Sequence, residues 1–322
     1  MAQTRTHDAA RPAKPTELGR GGWLGVLKRT GKEFMDDGLT DWAAALTYYG
    51  ILSLFPALIA LVSLVGLVGQ SATEPLIENL ATFAPSAARD IVVNAIAGLA
   101  ESQSAAGLLF VVGLAGAIWA ASGYVGAFMR ASNSIYDVGE GRPVWKTIPL
   151  RLAITIAMVA LLAVSAIMVV VTGPLAESVG DLIGLGNPAV TAWDIAKWPV
   201  LVILVSLIFA ILYWASPNVR QPGFRWITPG GVLAVVAWMI ASGLFALYVA
   251  SFGSYNKTYG SLGAVITFLI WLWISNLAVL FGAEFNAELQ RGREIEGGRD
   301  PKEEPFLEPR DTRKLKADAP RG

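Results

Sequence analysis

Residues 107–129 read GLLFVVGLAGAIWAASGYVGAFM and carry no charged side chain. A helix needs roughly 20 mostly apolar residues to cross the hydrocarbon core of a bilayer, so this stretch predicts a transmembrane helix. Five further stretches in the chain have the same character. The six predicted spans are 43–69, 107–129, 152–173, 199–216, 229–252 and 260–283.

The composition agrees with a membrane protein. Hydrophobic residues make up 54% of the chain and charged residues only 16%, and the charges crowd into the two ends and a few loops. The chain has no cysteine, so neither a disulfide framework nor a thiolate metal site is expected. The sequence therefore predicts an all-α fold, a polytopic membrane bundle of six transmembrane helices.

The distribution of basic residues predicts the orientation. Lys and Arg accumulate in cytoplasmic segments of bacterial inner-membrane proteins, because basic loops resist translocation. With both ends on one side, all but three of the 25 Lys and Arg residues fall on that side; the exceptions are Arg89, Lys197 and Lys257. We expect a multi-pass protein of the bacterial inner membrane with its N and C termini in the cytoplasm.

Two further segments have helical patterns but are too short or too polar to span. The first is an amphipathic N-terminal helix, because apolar side chains from Trp23 to Phe34 recur on one face. It suits a position on the anionic inner leaflet, and equally suits packing on the bundle. The second is residues 71–106, where two apolar stripes flank Pro85 and predict an outer helical hairpin.

These patterns divide the chain into three parts. The membrane domain covers residues 23–289. Residues 1–22 and 290–322 are polar, rich in charge and poor in large apolar side chains, which predicts disordered cytoplasmic tails at both ends.

The second span is rich in small residues, which let another helix backbone approach closely. The alternative is that its glycines let the helix bend or break beside a substrate cavity, as in discontinuous transporter helices. The candidate packing glycines are Gly113, Gly116, Gly123 and Gly126.

Ionisable side chains are costly inside a membrane, and the six predicted spans contain almost none. Glu284 lies at the inner end of the sixth span, where it is either a cytoplasmic anchor bonded to a neighbouring helix or a proton-coupling group. Asn276 lies about 12 Å deeper on the same helix, at 1.5 Å per residue. The candidate substrate-pathway residues are Tyr48, Tyr49, Asn276 and Glu284.

Several basic residues fall in the inner loops, where they are suited to binding lipid phosphates. The topology rule explains the same residues equally well. The candidate anionic-lipid residues are Arg130, Arg142, Lys146, Arg151, Arg220 and Arg225.

The sequence predicts no catalytic residue, no metal site and no cofactor. Its single histidine, His7, lies in the polar N-terminal segment, and the chain has no phosphate-binding loop and no nucleophile elbow. A zinc site that hydrolyses RNA would need His, Asp or Cys ligands gathered together. We therefore expect no enzyme and, in particular, no nuclease.

Several motifs together resemble the YihY/BrkB membrane proteins, a family sometimes labelled ribonuclease BN. The resemblance covers about 23–289 and implies a six-helix bacterial inner-membrane protein, of a kind regarded as transporters or envelope factors without an agreed substrate. The motifs are DWAAALTYY at 41–49, LSLFP at 52–56, ASNSIY at 131–136, WASPN at 214–218, YGSLGA at 259–264 and GAEFNAE at 282–288.

The leading functional hypothesis is an inner-membrane transporter or flippase-like envelope factor for a small solute or lipid. The alternative is a non-transporting interaction or scaffold protein of envelope biogenesis. Membrane lipids are the expected partners, and nucleic acid is not expected. The sequence leaves open whether the chain forms a homo-oligomer. The sequence predicts neither the substrate nor the direction or energy coupling of transport.

Overall fold

The computed structural model of the chain is helical, and it describes residues 12–68, 103–171, 176, 187–223, 228–251 and 261–317. Its helices are α1 (Arg20–Asp36), α2 (Leu39–Val68), α3 (Gln103–Ile135), α4 (Val144–Val170), α5 (Asn187–Ala215), α6 (Thr228–Ser251), α7 (Ser261–Glu296) and α8 (Arg313–Ala317). A short 3-10 turn at Pro15–Glu17 precedes α1, and an isolated antiparallel bridge joins Val219 to Pro309.

Among the described residues, five helices are long and apolar enough to cross a membrane, judged by length and composition. This confirms the predicted all-α membrane fold. The first predicted span, 43–69, lies on α2 but is not one of the five, so the count of six stays a prediction. The predicted outer hairpin, 71–106, falls almost wholly outside the described residues. The five segments are Gly107–Ile135, Val144–Val169, Pro188–Ala215, Pro229–Val249 and Val265–Glu296.

The first residues of two helices test the sequence signals for where a helix begins. Thr228 and Pro229 predict the start of a span, and α6 begins at Thr228. By contrast, α5 begins at Asn187, so that Pro199 lies inside it and not at its start. A proline removes one backbone donor, but membrane helices tolerate this where neighbouring groups satisfy the freed carbonyl.

The C-terminal region differs from the disordered tail predicted from residue 290. Helix α7 continues to Glu296, and residues 299–317, here called the C-terminal strap, are ordered through contacts with the rest of the chain. Arg310 donates to the Trp214 carbonyl at 2.7 Å, and Asn218 donates to the Asp311 carbonyl at 2.8 Å. A charge-rich segment is expected to be disordered when its charges have no partners, but the charged residues of this segment have partners in the rest of the chain.

The N-terminal segment also differs in part from its prediction. Residues 12–19 are described and lead directly into α1, which begins at Arg20. Gly19 donates its N–H to Glu296 at 3.0 Å, and this contact fixes the start of α1 beside the end of α7.

The chain divides into two compact units. Unit 1 comprises Met1–Ala43, Phe128–Gly243 and Ile274–Gly322, and unit 2 comprises Ala44–Ala127 and Leu244–Trp273. The candidate site described below lies entirely in unit 1.

Unit 2 brings α2 and α3 close together at two glycines. A Cβ on Gly123 would lie 2.7 Å from Cδ1 of Tyr49, which is too close for any side chain without movement of the ring. A Cβ on Gly116 would lie 3.4 Å from Cβ of Pro56. Gly113 and Gly126, the other two predicted packing glycines, are buried on the same helix.

Candidate functional site

Helix α1 packs along the final turns of α7. Val26 is buried against Phe285 and Leu289, and Trp23 adds its ring, whose centroid lies 6.3 Å from that of Phe285. This apolar contact is the second of the two positions that the sequence left open, which is packing on the bundle. The opposite face of α1 remains exposed and apolar, at Leu24, Leu27 and Met35.

The docking of α1 brings acidic side chains from both helices together. Glu33 and Asp37 belong to α1 and its C-terminal cap, while Glu284 and Glu288 lie one turn apart on α7. We call these four residues the acidic cluster.

Within the cluster, Glu288 is buried but fully paired. Its carboxylate binds the Arg29 guanidinium in a short ion pair, and Arg291 lies 3.4 Å from its second oxygen. Arg291 also binds Glu304 of the C-terminal strap at 2.9 Å. Glu288 and Arg291 are both buried, so theirs is not a surface ion pair.

Glu284 is buried as completely as Glu288 but lacks its partners. It is 1% exposed, and neither of its carboxylate oxygens accepts a hydrogen bond from a donor among the described residues. The group that faces it is another carboxyl, that of Asp37. Two ionised carboxylates have no hydrogen to share, so a bond between them forms only when one is protonated.

The cluster changes the acidity of the groups at its edge. Burial, followed by the nearby charges of Asp137, Glu33 and Glu288, raises the pKa of Asp37 to about 7. Desolvation and the charge of Glu304 raise the pKa of Asp137 to about 6. Both side chains therefore titrate near neutral pH, far above an ordinary aspartate.

The neutral polar groups of this region bond mainly to one another. The Tyr136 hydroxyl accepts hydrogen bonds from Gln290 at 3.0 Å and from Gln221 at 3.4 Å. Gln221 also donates to the Tyr213 carbonyl at 2.8 Å. Gln221 thus uses its amide N–H groups on Tyr213 and Tyr136, and the two carboxyls of Glu284 and Asp37 face each other.

The predicted pathway residues fall in different units. Asn276 is 3% exposed and Glu284 is 1% exposed, and both lie on the part of α7 that belongs to unit 1. Tyr48 and Tyr49 lie in unit 2, where their rings meet edge to face at 5.4 Å and Tyr48 is 60% exposed.

The predicted lipid-binding cations fall into three groups. Arg142 is 5% exposed, with Glu140 bound at 2.7 Å and the Ser216 carbonyl at 2.8 Å, so it stabilises the fold and does not face lipid. Lys146 and Arg220 form ion pairs with strap residues, Asp311 at 3.2 Å and Glu308 at 3.4 Å.

The other three cations differ in exposure. Arg130 is exposed and lies over the Trp42 ring at 6.0 Å. Arg151 is half-buried, and Arg225 lies outside the described residues.

Sequence reasoning singled out Glu284 but missed Asp37. Asp36-Asp37-Gly38 reads as a turn between helices, and Gly38 indeed adopts a φ of 62° there. Nothing in the local pattern shows that α1 folds back onto α7, so the pairing of the two carboxyls became visible only in the structure.

Comparison with known proteins identifies relatives of the chain. The sequence model of a family described as Virulence factor BrkB matches residues 30–306. A ribonuclease-like protein of Bacillus subtilis, YfkH, is 30% identical over 264 residues, covering 82% of this chain and 93% of YfkH. A UPF0761 membrane protein of Alkalilimnicola ehrlichii is 33% identical over 266 residues, covering 80% of this chain.

The relatives differ in length. The chain spans 56% of the Alkalilimnicola protein but 91% of a UPF0761 membrane protein of Idiomarina loihiensis, to which it is 26% identical. No solved structure matches the chain.

Proposed function

Because the chain belongs to the BrkB family of membrane proteins, we propose that it is a transporter or flippase-like factor that moves a small solute or lipid across the bacterial inner membrane. In this proposal both termini lie in the cytoplasm, which the clustering of Lys and Arg supports. Membrane lipids are its immediate partners, and Arg130 is the exposed cation best suited to hold their phosphates.

One observation carries the proposal: the carboxylate of Glu284 is buried near the end of a helix long and apolar enough to cross a membrane, and no donor from the described part of the chain reaches either of its oxygens. An unpaired buried carboxylate costs several kcal/mol or changes its protonation state, so it does not stabilise the fold. Ionisable side chains placed inside a membrane mark pathways and proton relays. A group that stability does not require is therefore best explained by transport.

We propose that the chain is not an enzyme, although YfkH carries a ribonuclease-like name. Among the described residues no three His, Cys, Asp or Glu side chains come together to hold a metal ion. Metal-dependent RNA hydrolysis relies on such a group of ligands. The acidic cluster has arginines between its carboxylates, which suits charge balance and not metal binding.

The test is reconstitution of the full chain into liposomes. Scrambling of a fluorescent phospholipid and uptake of labelled solutes are measured with and without a pH gradient, in vesicles with and without anionic lipid. We expect transport by the wild type and a loss of roughly tenfold or more in Glu284→Gln, as for removal of a group that acts in proton transfer.

Glu308→Gln is the matched control, because Glu308 is an exposed strap carboxylate that pairs with an exposed arginine, Arg220. We expect it to transport like the wild type. If the wild type moves neither lipid nor solute, with or without a pH gradient, the transport proposal is wrong. The scaffold alternative would then be favoured, with the exposed apolar face of α1 and the C-terminal strap as its binding surfaces.

A further inference from the structure

We propose that the facing carboxyl groups of Asp37 and Glu284 form a proton-binding site, in which the pair holds one shared proton at neutral pH. Binding of the proton stands on the geometry of unit 1 alone. Its role as the coupling ion rests on the proposed transport function.

The first support is the balance of charge around the pair. Among the described residues, Glu288 is neutralised by Arg29 and Arg291, and Arg291 also reaches Glu33 at 3.9 Å. Lys32 binds Glu33 at 3.5 Å. These cations are therefore engaged with other carboxylates, and Glu284 itself receives no donor.

The second support is the identity of the facing group. Ionisation of both carboxyls is strongly disfavoured when they face each other and one of them is buried, because their repulsion adds to the cost of burial. One proton between them removes one charge and supplies the donor that the buried Glu284 oxygens lack. The pair thus satisfies its hydrogen bonding only when it binds a proton.

The third support is a route for the proton. Asp37 is half-buried and lies in the tight link between α1 and α2, whereas Glu284 is closed off from solvent. The Asp37 N–H donates to the Glu33 carbonyl at 2.8 Å, and Gly38 turns the chain with its positive φ, so the carboxyl is held in place. A proton can therefore reach Glu284 from water by way of Asp37.

The other charged and titratable groups near the pair come from every packed element. They favour retention of the proton, because most are acidic and the cations among them are already paired. The raised pKa of Asp37, about 7, agrees with binding near neutral pH. These groups are Arg29, Glu33, Tyr136, Asp137, Glu288, Arg291 and Glu304.

A proton suits this site better than a metal cation. Calcium and magnesium take about six or more oxygen ligands. Within the described part of the chain no group of three acidic, His or Cys ligands is arranged to hold a metal. Two carboxyls that face each other can bind one proton without further ligands.

The test is labelling of the detergent-purified full chain with dicyclohexylcarbodiimide, which reacts with a carboxyl group only in its protonated form. The modified residue is identified by mass spectrometry across a series of pH values. We expect labelling of the pair that is strong at about pH 6 and falls several-fold by about pH 8, because Asp37, whose pKa is about 7, ionises in this range.

Two variants examine the pairing. Glu284→Gln and Asp37→Asn should each abolish the pH-dependent labelling of the other partner, because an amide already supplies the missing donor. The exposed Asp36→Asn should leave the labelling unchanged. The wild-type titration needs no variant, so the proposal stays testable even if a substituted chain does not fold.

Absence of labelling at both residues throughout this pH range would overturn the proposal. Protection by sodium ions at constant pH would also overturn it, in favour of a cation site. Labelling that titrates as expected in a protein that moves no substrate in liposomes would retain the proton site and reject the transport function. Transport without pH-dependent labelling would retain the transport function and reject the proton site.

Discussion

Gly230 of α6 and Gly282 of α7 meet backbone to backbone. A Cβ on Gly230 would lie 2.1 Å from the Gly282 carbonyl oxygen, and a Cβ on Gly282 would lie 2.4 Å from the Gly230 carbonyl oxygen. No side chain fits on either residue unless a helix moves. The contact also lets Gly230 donate its N–H to Asn286 at 2.7 Å, one turn beyond Gly282.

Gly282→Ala is therefore expected to destabilise the protein by about 1–3 kcal/mol, the usual cost of forcing extra volume into a packed interior. Gly243→Ala on α6 is the control, because nothing lies within 4 Å of a Cβ there. Its expected effect is a gain of about 0.5–1 kcal/mol or less, since alanine favours a helix over glycine. Equilibrium unfolding in mixed micelles measures both. Equal stabilities for the two variants would contradict the close contact.

This contact shows how far the sequence predicts the fold. The apolar runs locate α3, α4, α6 and α7 because a helix in lipid must satisfy its own backbone, which makes its position a local property of the sequence. Which glycine meets which depends on how two helices cross. The sequence drew attention to the glycines of α3, while this close pair lies on α6 and α7.

The candidate site was predictable only in part, for the same reason. Glu284 stands out as a lone carboxylate beside an apolar run, but its burial depends on α1 packing against Phe285. By composition the last turns of α7 are too polar to be buried by other helices. Arg29 and the strap residue Glu304, however, neutralise the charged side chains of these turns. Charges satisfied by distant residues cannot be distinguished from solvated charges by local pattern.

Stability should fall as the pH rises from about 4 to about 7. The pKa of Asp37 is about 7 in the folded protein and about 3.9 when unfolded, so the folded chain binds more protons between these values. The stabilising contribution is fully present below about pH 4 and is lost as the pH passes through 7. Asp137, with a pKa of about 6, contributes in the same direction.

Asp37→Asn should flatten this pH dependence, and thermal unfolding in detergent at about pH 5 and about pH 8 measures it. We expect the wild type to melt at a higher temperature at the lower pH and the variant to lose much of the difference. Asp36→Asn, one residue away on the exposed side of α1, should retain the wild-type dependence. A wild-type melting temperature that rises between these pH values would contradict the raised pKa of Asp37.

Arg142 is expected to be among the most sensitive charged positions. Its guanidinium binds both oxygens of Glu140 at 2.7 Å and donates to the Ser216 carbonyl just beyond the end of α5. Burial alone would raise the pKa of Glu140, but the hydrogen bonds from Arg142 hold it below its usual value. Arg142→Ala removes the cation that pairs with the Glu140 carboxylate, which then keeps hydrogen bonds from Asn133 and from the backbone N–H of residue 142. It also removes the side-chain donor to the Ser216 carbonyl, and the expected cost is about 3–5 kcal/mol.

Arg220→Ala is the matched control for Arg142. Arg220 pairs with Glu308 at 3.4 Å, but both side chains are well exposed, so the loss should be about 0–1 kcal/mol. Unfolding measurements of the two variants separate a buried structural arginine from a surface one. If Arg142→Ala is as stable as Arg220→Ala, the buried network contributes no stability.

Asn218 should control the attachment of the C-terminal strap. It is fully buried, donates to the Asp311 carbonyl at 2.8 Å, and accepts from the Asp311 N–H at 3.1 Å. Each hydrogen bond contributes about 1 kcal/mol, so Asn218→Ala should make local opening of the strap easier by roughly tenfold or more. Trypsin cleavage at Arg310 and Arg313 follows that opening, because proteolysis tracks the population of the open form.

Arg220→Ala again serves as the comparison, since it removes a strap contact that is exposed to solvent. It should leave the cleavage rate within about twofold of the wild type. Equal cleavage of the wild type and Asn218→Ala would mean that other contacts, such as that of Arg310 with the Trp214 carbonyl, hold the strap without help from Asn218. Faster cleavage in Asn218→Ala with unchanged global unfolding would show that the strap opens as a separate unit.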